Sequence, residues 1–316
     1  MSNSQQVKVA VVTGSNRGLG FAMVKRLLQE LQPGRWIVYM TARNNDKGRA
    51  ALIEVINETN DFANVFPLFY QLDIDVVESI ENFKRYIAEN HTNGIDVLIN
   101  NAGIYPKSRD ADRTEAEGHF RFNMNNIRKT IETNFFGTLN VCRILTPVLS
   151  KHCRIVNLGS GMASVIFKYL SPSVQDCIEN DITNMDQCEM LMKKFVSMSE
   201  SNLNEGCLLS TSAGYEIWPN FAVGDLLAYG FSKIGIAMLT QCLQKEFIND
   251  GKDGIVINCC CPGSVNTDLN PFGTISPDEG SKVPMALAIL PENTDFKGQF
   301  IAEYQVQTPY RYQPNW

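Results

Sequence analysis

"VVTGSNRGLGFAMVKRLL", residues 11 to 28, joins an apolar run to a helical pattern through three glycines, Gly14, Gly18 and Gly20. Glycine permits a tight turn and close backbone approach, and a helix that opens straight after a strand points its unpaired N–H groups beyond the strand end. Those groups suit a pyrophosphate, so the stretch predicts the strand–turn–helix unit of a dinucleotide-binding fold. The spacing here is G-x-x-x-G-x-G, not the usual G-x-G-x-x-G. A glycine-rich turn that merely joins strand and helix is the competing reading.

On both sides of this unit, β-rich apolar runs alternate with helical patterns. Strands are expected at 7–14, 35–43, 65–73, 94–101 and 154–160, and helices at 19–31, 46–57, 76–90 and about 125–150. The alternation resumes with a helix from about 227, a strand at 254–261 and a last strand near 298–304. Such alternation implies βαβ units and a doubly wound parallel α/β sheet of the Rossmann type, with helices on both faces. Residues 161–228 break the rhythm with a polar stretch, helical at 174–200. The expectation is one domain over 1–316 that carries a long, mostly helical insertion at about 161–228.

Composition narrows the function. Of 316 residues 44% are apolar and 20% charged, which is globular, and the net charge of −6 argues against nucleic acid or an acidic membrane surface as the main partner. No uninterrupted apolar run approaches the roughly 18 residues of a membrane span. The N-terminus lacks the basic and cleavage regions of a signal peptide, so a cytoplasmic protein is expected. Nine cysteines without a C-x-x-C pair, and three scattered histidines, argue against a disulfide framework or a structural zinc. Reduced cysteines in a cytosolic core are the plain alternative.

Charge at the strand ends indicates the cofactor. An NAD site usually closes its second strand with an acid that holds the ribose 2′-hydroxyl. Arg43 stands there instead, and Arg17 lies within the glycine loop. Two guanidinium groups suit a 2′-phosphate and hence NADPH, unless both are simply solvated surface arginines. Polar residues also close the later strands: Asp73, "NNAG" at Asn100 to Gly103, Ser160 in "NLGSG", and "CPGSVNT" at 261–267. Ligands of open α/β sheets lie beyond these ends. Asp73 could accept from an adenine amino group, and Pro262-Gly263 could set a turn near the nicotinamide.

The helix "LAYGFSKIGIAMLTQCL", 227–243, is apolar nearly all round yet carries Tyr229 and Lys233 one turn apart. A lysine among such neighbours loses hydration unless its charge is used. Residues four apart on a helix are about 5–6 Å apart at Cβ. An ammonium at that reach can stabilise the phenolate of a tyrosine whose ordinary pKa is about 10. Ser160 is not the nucleophile of a G-x-S-x-G elbow, because glycine flanks it directly on both sides.

"TGSNRGLG", "NNAG", "NFFGT" (134–138), Ser160, "YGFSK" (229–233) and "PGSVNT", in this order, resemble the short-chain dehydrogenase/reductase family over essentially the whole chain. Within it, "TARNNDKGRAA", "QLDID", "DVLINNAGI", "CCPG" and "SPDEG" are similar to the monomeric NADPH-dependent carbonyl reductases. The resemblance implies a catalytic set of Asn134, Ser160, Tyr229 and Lys233. Tyr229 would be the proton donor, Ser160 would hold the substrate oxygen, and Asn134 would help hold a water that relays protons to Lys233. It implies cofactor contacts at Gly14, Asn16, Arg17, Gly18, Leu19, Gly20, Arg43, Asp73, Ile74, Asn101, Ala102, Gly103, Tyr229, Lys233, Pro262, Gly263, Val265 and Thr267. No metal is required, since the cofactor carries the redox chemistry. The substrate implied is a small carbonyl compound: a ketone, an aldehyde or a quinone.

The resemblance also implies a monomer, because the long insert covers the helix face through which other members oligomerise. Phe167, Ile217, Trp218 and Phe221 are candidate cleft walls, with ordinary packing as the alternative. Cys260 matches a cysteine that the subgroup links to glutathione conjugates, with a buried small hydrophobe as the alternative. Ser264 stands where those reductases carry a tryptophan, which removes an aromatic wall. Two other readings stay open: a dedicated reductase of one metabolite such as a pterin or a steroid, and a non-catalytic NADPH-binding regulator.

Overall fold

A computed structural model describes residues 7–31, 35–59, 65–106, 123–200 and 223–302. Seven parallel strands form one sheet: β1 Val7–Val12, β2 Arg35–Ala42, β3 Val65–Gln71, β4 Ile95–Asn100, β5 Leu149–Leu158, β6 Val256–Cys261 and β7 Phe300–Ala302. Their order is β3-β2-β1-β4-β5-β6-β7. The chain leaves β1 toward one edge and returns beside it as β4, so the order reverses between β1 and β4 and opens a crevice at their carboxyl ends.

Strand alternation divides the apolar residues into two cores. Val9 and Val11 join one cluster with Ile80, Phe83, Leu139, Ile234 and Leu239. Ala10 and Val12 join the other with Met23, Val24, Leu27, Val55 and Leu287. The first cluster takes α3 (Val77–Asn90), α4 (Met124–Ile131), α5 (Thr138–Leu145), α6 (Met162–Phe167), α8 (Met185–Glu200) and α9 (Val223–Asn249), while α7 (Pro172–Asp176) is a short turn between α6 and α8. The second takes α1 (Gly18–Glu30), α2 (Asn45–Thr59) and α11 (Lys282–Ala288), which the short α10 (Pro277–Gly280) precedes. The central strands are buried on both faces, with successive residues joining opposite cores, and that is what makes the sheet doubly wound.

Three expectations need correction. The helix expected at about 125–150 is α4, a π turn over Glu132–Gly137, and α5, which ends at Leu145. Pro147 lies in a short 3₁₀ turn, and β5 begins at Leu149 rather than at 154; a proline within the helix would remove a backbone donor and clash with the preceding turn. The helix expected at 174–200 breaks at 182–184. There Asn184 accepts from the Gln187 N–H at 3.0 Å, and Gln187 Oε1 accepts from the Thr183 N–H at 2.9 Å, which starts α8 afresh. The helix expected from about 227 begins earlier, at Val223.

By length and composition α9 could cross a membrane, although no uninterrupted apolar run suggested it; 89% of its apolar window is buried inside the protein. A helix that is apolar all round belongs in a core. Gly230 and Gly235 set the packing. A Cβ on Gly230 would lie 2.2 Å from Ile166 Cγ1 of α6, and one on Gly235 would lie 2.9 Å from Met192 of α8. The rings of Phe195 and Phe231 stack at 4.0 Å where α8 meets α9.

Candidate active site

The glycine loop is fastened to its neighbours by side chains that its motif does not advertise. Thr13 Oγ1 accepts from the N–H groups of Asn101 and Ala102, both at 3.0 Å. Asn101 Nδ2 donates to the carbonyls of Thr13 and Gly14, both at 2.9 Å. Ser15 Oγ donates to the Val12 carbonyl and accepts from the Thr41 N–H, each at 3.0 Å. The ends of β1, β2 and β4 therefore form one block. Thr13 and Ser15 escaped the sequence reading because a hydroxyl's partners lie on other strands.

Gly14, at φ +61°, backs onto Ala102, whose Cα would lie 2.9 Å from an added Cβ. Gly18, at φ +57°, faces Thr267, while Gly20 is buried and Asn16 and Leu19 are half-buried. No side chain caps α1, and its first turn holds no acidic residue. Its terminal N–H groups are thus left for an anion, which fits a pyrophosphate. Arg17 is exposed and paired with Asp268 at 2.7 Å. Arg43 is exposed at the end of β2, and its carbonyl accepts from Gln71 Nε2 at 3.0 Å.

Asp73 and Ile74 follow β3, and Ile74 packs where a Cβ on Gly137 would meet it at 3.0 Å. Gly103 lies against the Asn134 amide. Beyond β6, Pro262 leads into Gly263 at φ +88°, and Val265 bridges to Ile275. A cavity of about 540 Å³, lined in part by Asn45, Arg49 and Gln71, lies between α2, β3 and α3. It is on the Arg43 side, away from Tyr229.

Ser160, Tyr229 and Lys233 come together from the end of β5 and the face of α9. The Ser160 hydroxyl acts on the Tyr229 phenol and draws its pKa down, and it accepts from the Met162 N–H at 3.2 Å. Lys233 is 6% exposed. Its Nζ donates to the Leu158 carbonyl at 2.6 Å and lies 5.6 Å from the centre of the Tyr229 ring. Burial pushes the Tyr229 phenol up to about 12 against the pull of Ser160. Burial also brings Lys233 down to about 8.

Asn134 stands in the π turn, and its amide is committed to protein partners. Oδ1 accepts from the Ile104 N–H at 2.8 Å, and Nδ2 donates to the Ile104 carbonyl at 3.0 Å and to Ser232 Oγ at 3.1 Å. The Ser232 hydroxyl donates in turn to the Tyr229 carbonyl at 2.7 Å. Two residues outside the sequence reading also border the site. The Tyr105 ring packs on that of Tyr229 with centroids 5.1 Å apart. Asp225 is buried one turn before Tyr229 and accepts from Asn126 Nδ2 at 3.1 Å.

The cysteine triplet resolves by strand alternation. Cys259 and Cys260 are fully buried against opposite cores. Cys261, not Cys260, is part-exposed at the cleft, where its sulfur accepts from the Gly161 N–H at 3.1 Å. Phe167 is 3% exposed within the core, and Ile217, Trp218 and Phe221 lie outside the described residues. Ser264 is exposed and accepts from Asn270 Nδ2 at 3.3 Å. Among the described residues no group of three or more His, Cys, Asp or Glu could hold a metal ion.

The chain matches the short chain dehydrogenase family over residues 8–172 and 208–274. It is 34% identical over 304 residues to carbonyl reductase (NADPH) 1 of Macaca fascicularis, covering 95% of this chain and 98% of that protein. With the Homo sapiens protein of the same name it is 33% identical over 307 residues, 96% of this chain and 99% of that one. Salutaridine reductase from Papaver somniferum aligns in structure with a TM-score of 0.74 at 25% identity, over 93% of this chain and 99% of that chain. The NADPH-bound carbonyl reductase from chicken fatty liver shares the fold, with a TM-score of 0.60 at 19% identity over 95% and 97% of the two chains. A parallel sheet that reverses at β1 and β4, a glycine loop at the crevice, and likeness along nearly the whole length make one conclusion: this chain belongs to the short chain dehydrogenase family.

Proposed function

We propose that the protein is an NADPH-dependent carbonyl reductase that converts ketones, aldehydes or quinones to alcohols. The observation that carries this is the Tyr229 phenol with Ser160 acting on it and the Lys233 ammonium buried 5.6 Å from its ring centre. It stands in a chain 34% identical to carbonyl reductase (NADPH) 1 along nearly its full length. In this reading the uncapped N-terminus of α1, with Gly14, Asn16, Gly18, Leu19 and Gly20, takes the pyrophosphate. Arg43 and Arg17 take the 2′-phosphate, and Asp73 and Ile74 the adenine end. Asn101, Ala102, Gly103, Lys233 and the Pro262–Thr267 loop take the nicotinamide half. When bound, the cofactor supplies the hydride.

The chain's own residues supply the rest. Tyr229 is the general acid: a phenol raised to about 12 holds its proton at neutral pH and gives it to a carbonyl oxygen that gains charge. Ser160 donates to the same oxygen and fixes it within reach of the phenol. Lys233, still charged at pH 7 with its pKa near 8, offsets the phenolate that proton donation leaves behind. Asn134 contributes by holding the Ile104 backbone and, through Ser232, the Tyr229 peptide. We read the protein as a cytoplasmic monomer in which residues 161–228 are an insertion within one domain; α8 of that stretch packs over α9.

The test is purified protein with NADPH against menadione, isatin and simple aromatic aldehydes. Turnover of several of these is expected, and Tyr229→Phe should lower kcat by about 10²–10⁴-fold with NADPH affinity kept. Inert wild-type protein that binds NADPH would refute general carbonyl reduction. One substrate far ahead of the rest would mark a dedicated reductase. Cellular function unchanged in Tyr229→Phe would mark a regulator.

A further inference from the structure

We propose that Tyr105 is a positioning residue for the proton donor: its ring lies against that of Tyr229, shields the phenol from water and keeps it turned toward Ser160. The inference rests on the reading of Tyr229 as the general acid.

The two rings meet at 5.1 Å between centroids with their planes tilted by 49°, a geometry that aromatic pairs favour. The backbones that carry them are linked by a chain of hydrogen bonds. Ile104, the residue before Tyr105, is held at both its N–H and its carbonyl by the Asn134 amide, at 2.8 and 3.0 Å. The same amide donates to Ser232 at 3.1 Å, and Ser232 donates to the Tyr229 carbonyl at 2.7 Å. The backbone that carries Tyr105 and the backbone that carries Tyr229 are therefore tied through two buried side chains, Asn134 and Ser232.

The polar surroundings keep the Tyr105 ring neutral. Burial raises its phenol to about 12, and the Asp225 carboxylate adds to that rise. Asp225 is 2% exposed, bonded to Asn126 of α4, and four residues before Tyr229 on α9. Among the described residues, the Ser160 hydroxyl, the Cys261 thiol and Tyr105 act on the Tyr229 phenol, with the Lys233 ammonium near its ring. Of these, Tyr105 alone is a large apolar plate. Burial is also the leading cause of the phenol's elevation. Removing the plate should hydrate the phenol, loosen its aim and lower its pKa.

The experiment measures kcat and KM of carbonyl reduction, with NADPH affinity by fluorescence titration and Tm by thermal melting, on wild type, Tyr229→Phe, Tyr105→Ala and Tyr105→Phe. Loss of turnover in Tyr229→Phe is required first; if that variant turns over like wild type, the general-acid reading itself falls. Given that loss, Tyr105→Ala is expected to lower kcat by about 10- to 100-fold with NADPH affinity unchanged. Tyr105→Phe, which keeps the ring, should recover most of the kcat. Should Tyr105→Ala fail to fold, Tyr105→Leu replaces it, with the same loss expected because it fills volume without a flat ring. The proposal is overturned by unchanged kcat in the ring-less variant. It is overturned equally by a rise in kcat, which would make the ring an obstruction, or by equal losses in the Phe and Ala variants, which would assign the effect to the hydroxyl.

Discussion

Lys233 keeps its ammonium inside the protein on the Leu158 carbonyl at 2.6 Å, and burial sets its pKa near 8 while that of Tyr229 stands near 12. At pH 7 both groups are protonated, so the acid is loaded and its counter-charge is present. As pH rises through about 8 the lysine discharges first, and the phenolate left by proton donation loses its partner. The kcat for reduction should therefore be level on the acid side of neutrality and fall above about pH 8. A fall confined to about pH 12 would place control in the phenol alone. At the other end of the cleft, Arg43→Asp should move the ratio of kcat/KM values from NADPH toward NADH. Equal use of both cofactors by the unmodified protein would remove the arginine argument. Tyr229 and Lys233 were legible in the sequence because a lysine in an apolar helix demands a reason. Tyr105 was not, since one tyrosine after "NNAGI" carries no periodic signal and its partner is more than a hundred residues away.

Among the elements, the π turn at Glu132–Gly137 shows what local patterning leaves out. Apolar spacing at about 125–150 reads as one helix, and the wider turn within it is set by what Asn134 must reach across the crevice; π turns often mark functional positions for this kind of reason. Asn134→Ala removes three hydrogen bonds and strands the Ile104 backbone groups, so a loss of about 1–3 kcal/mol in denaturant unfolding is expected. A fall in kcat should accompany it. Unchanged stability with lost activity would instead return Asn134 to direct chemistry. The early start of β5 and the restart at α8 are faults of boundary, not of kind. Pro147 and the Asn184 cap were visible, but the apolar spacing ran on past both of them.

On the scale of the molecule, the doubly wound sheet followed from alternation alone, because each central strand supplies both cores. Strand order did not follow from it; it is set by which crossovers bury the most surface and emerges only in the folded chain. The two halves of the site, glycine loop and tyrosine helix, lie at opposite ends of the chain yet meet because the order reverses between β1 and β4.

The glycines of α9 carry a consequence for motion. With Ile166 on Gly230 and Met192 on Gly235 at backbone distance, the middle of that helix has no room to breathe independently of its neighbours. In native-state hydrogen exchange, the amides of residues 231–243 should open only with global unfolding and share its free energy. Amides exchanging there by small local fluctuations would show the helix to be looser than its packing. The proton donor lies two residues before that stretch on the same helix. Any access a substrate needs must come from the loops at the strand ends, so the rate of admission and the rate of chemistry can be altered by different residues.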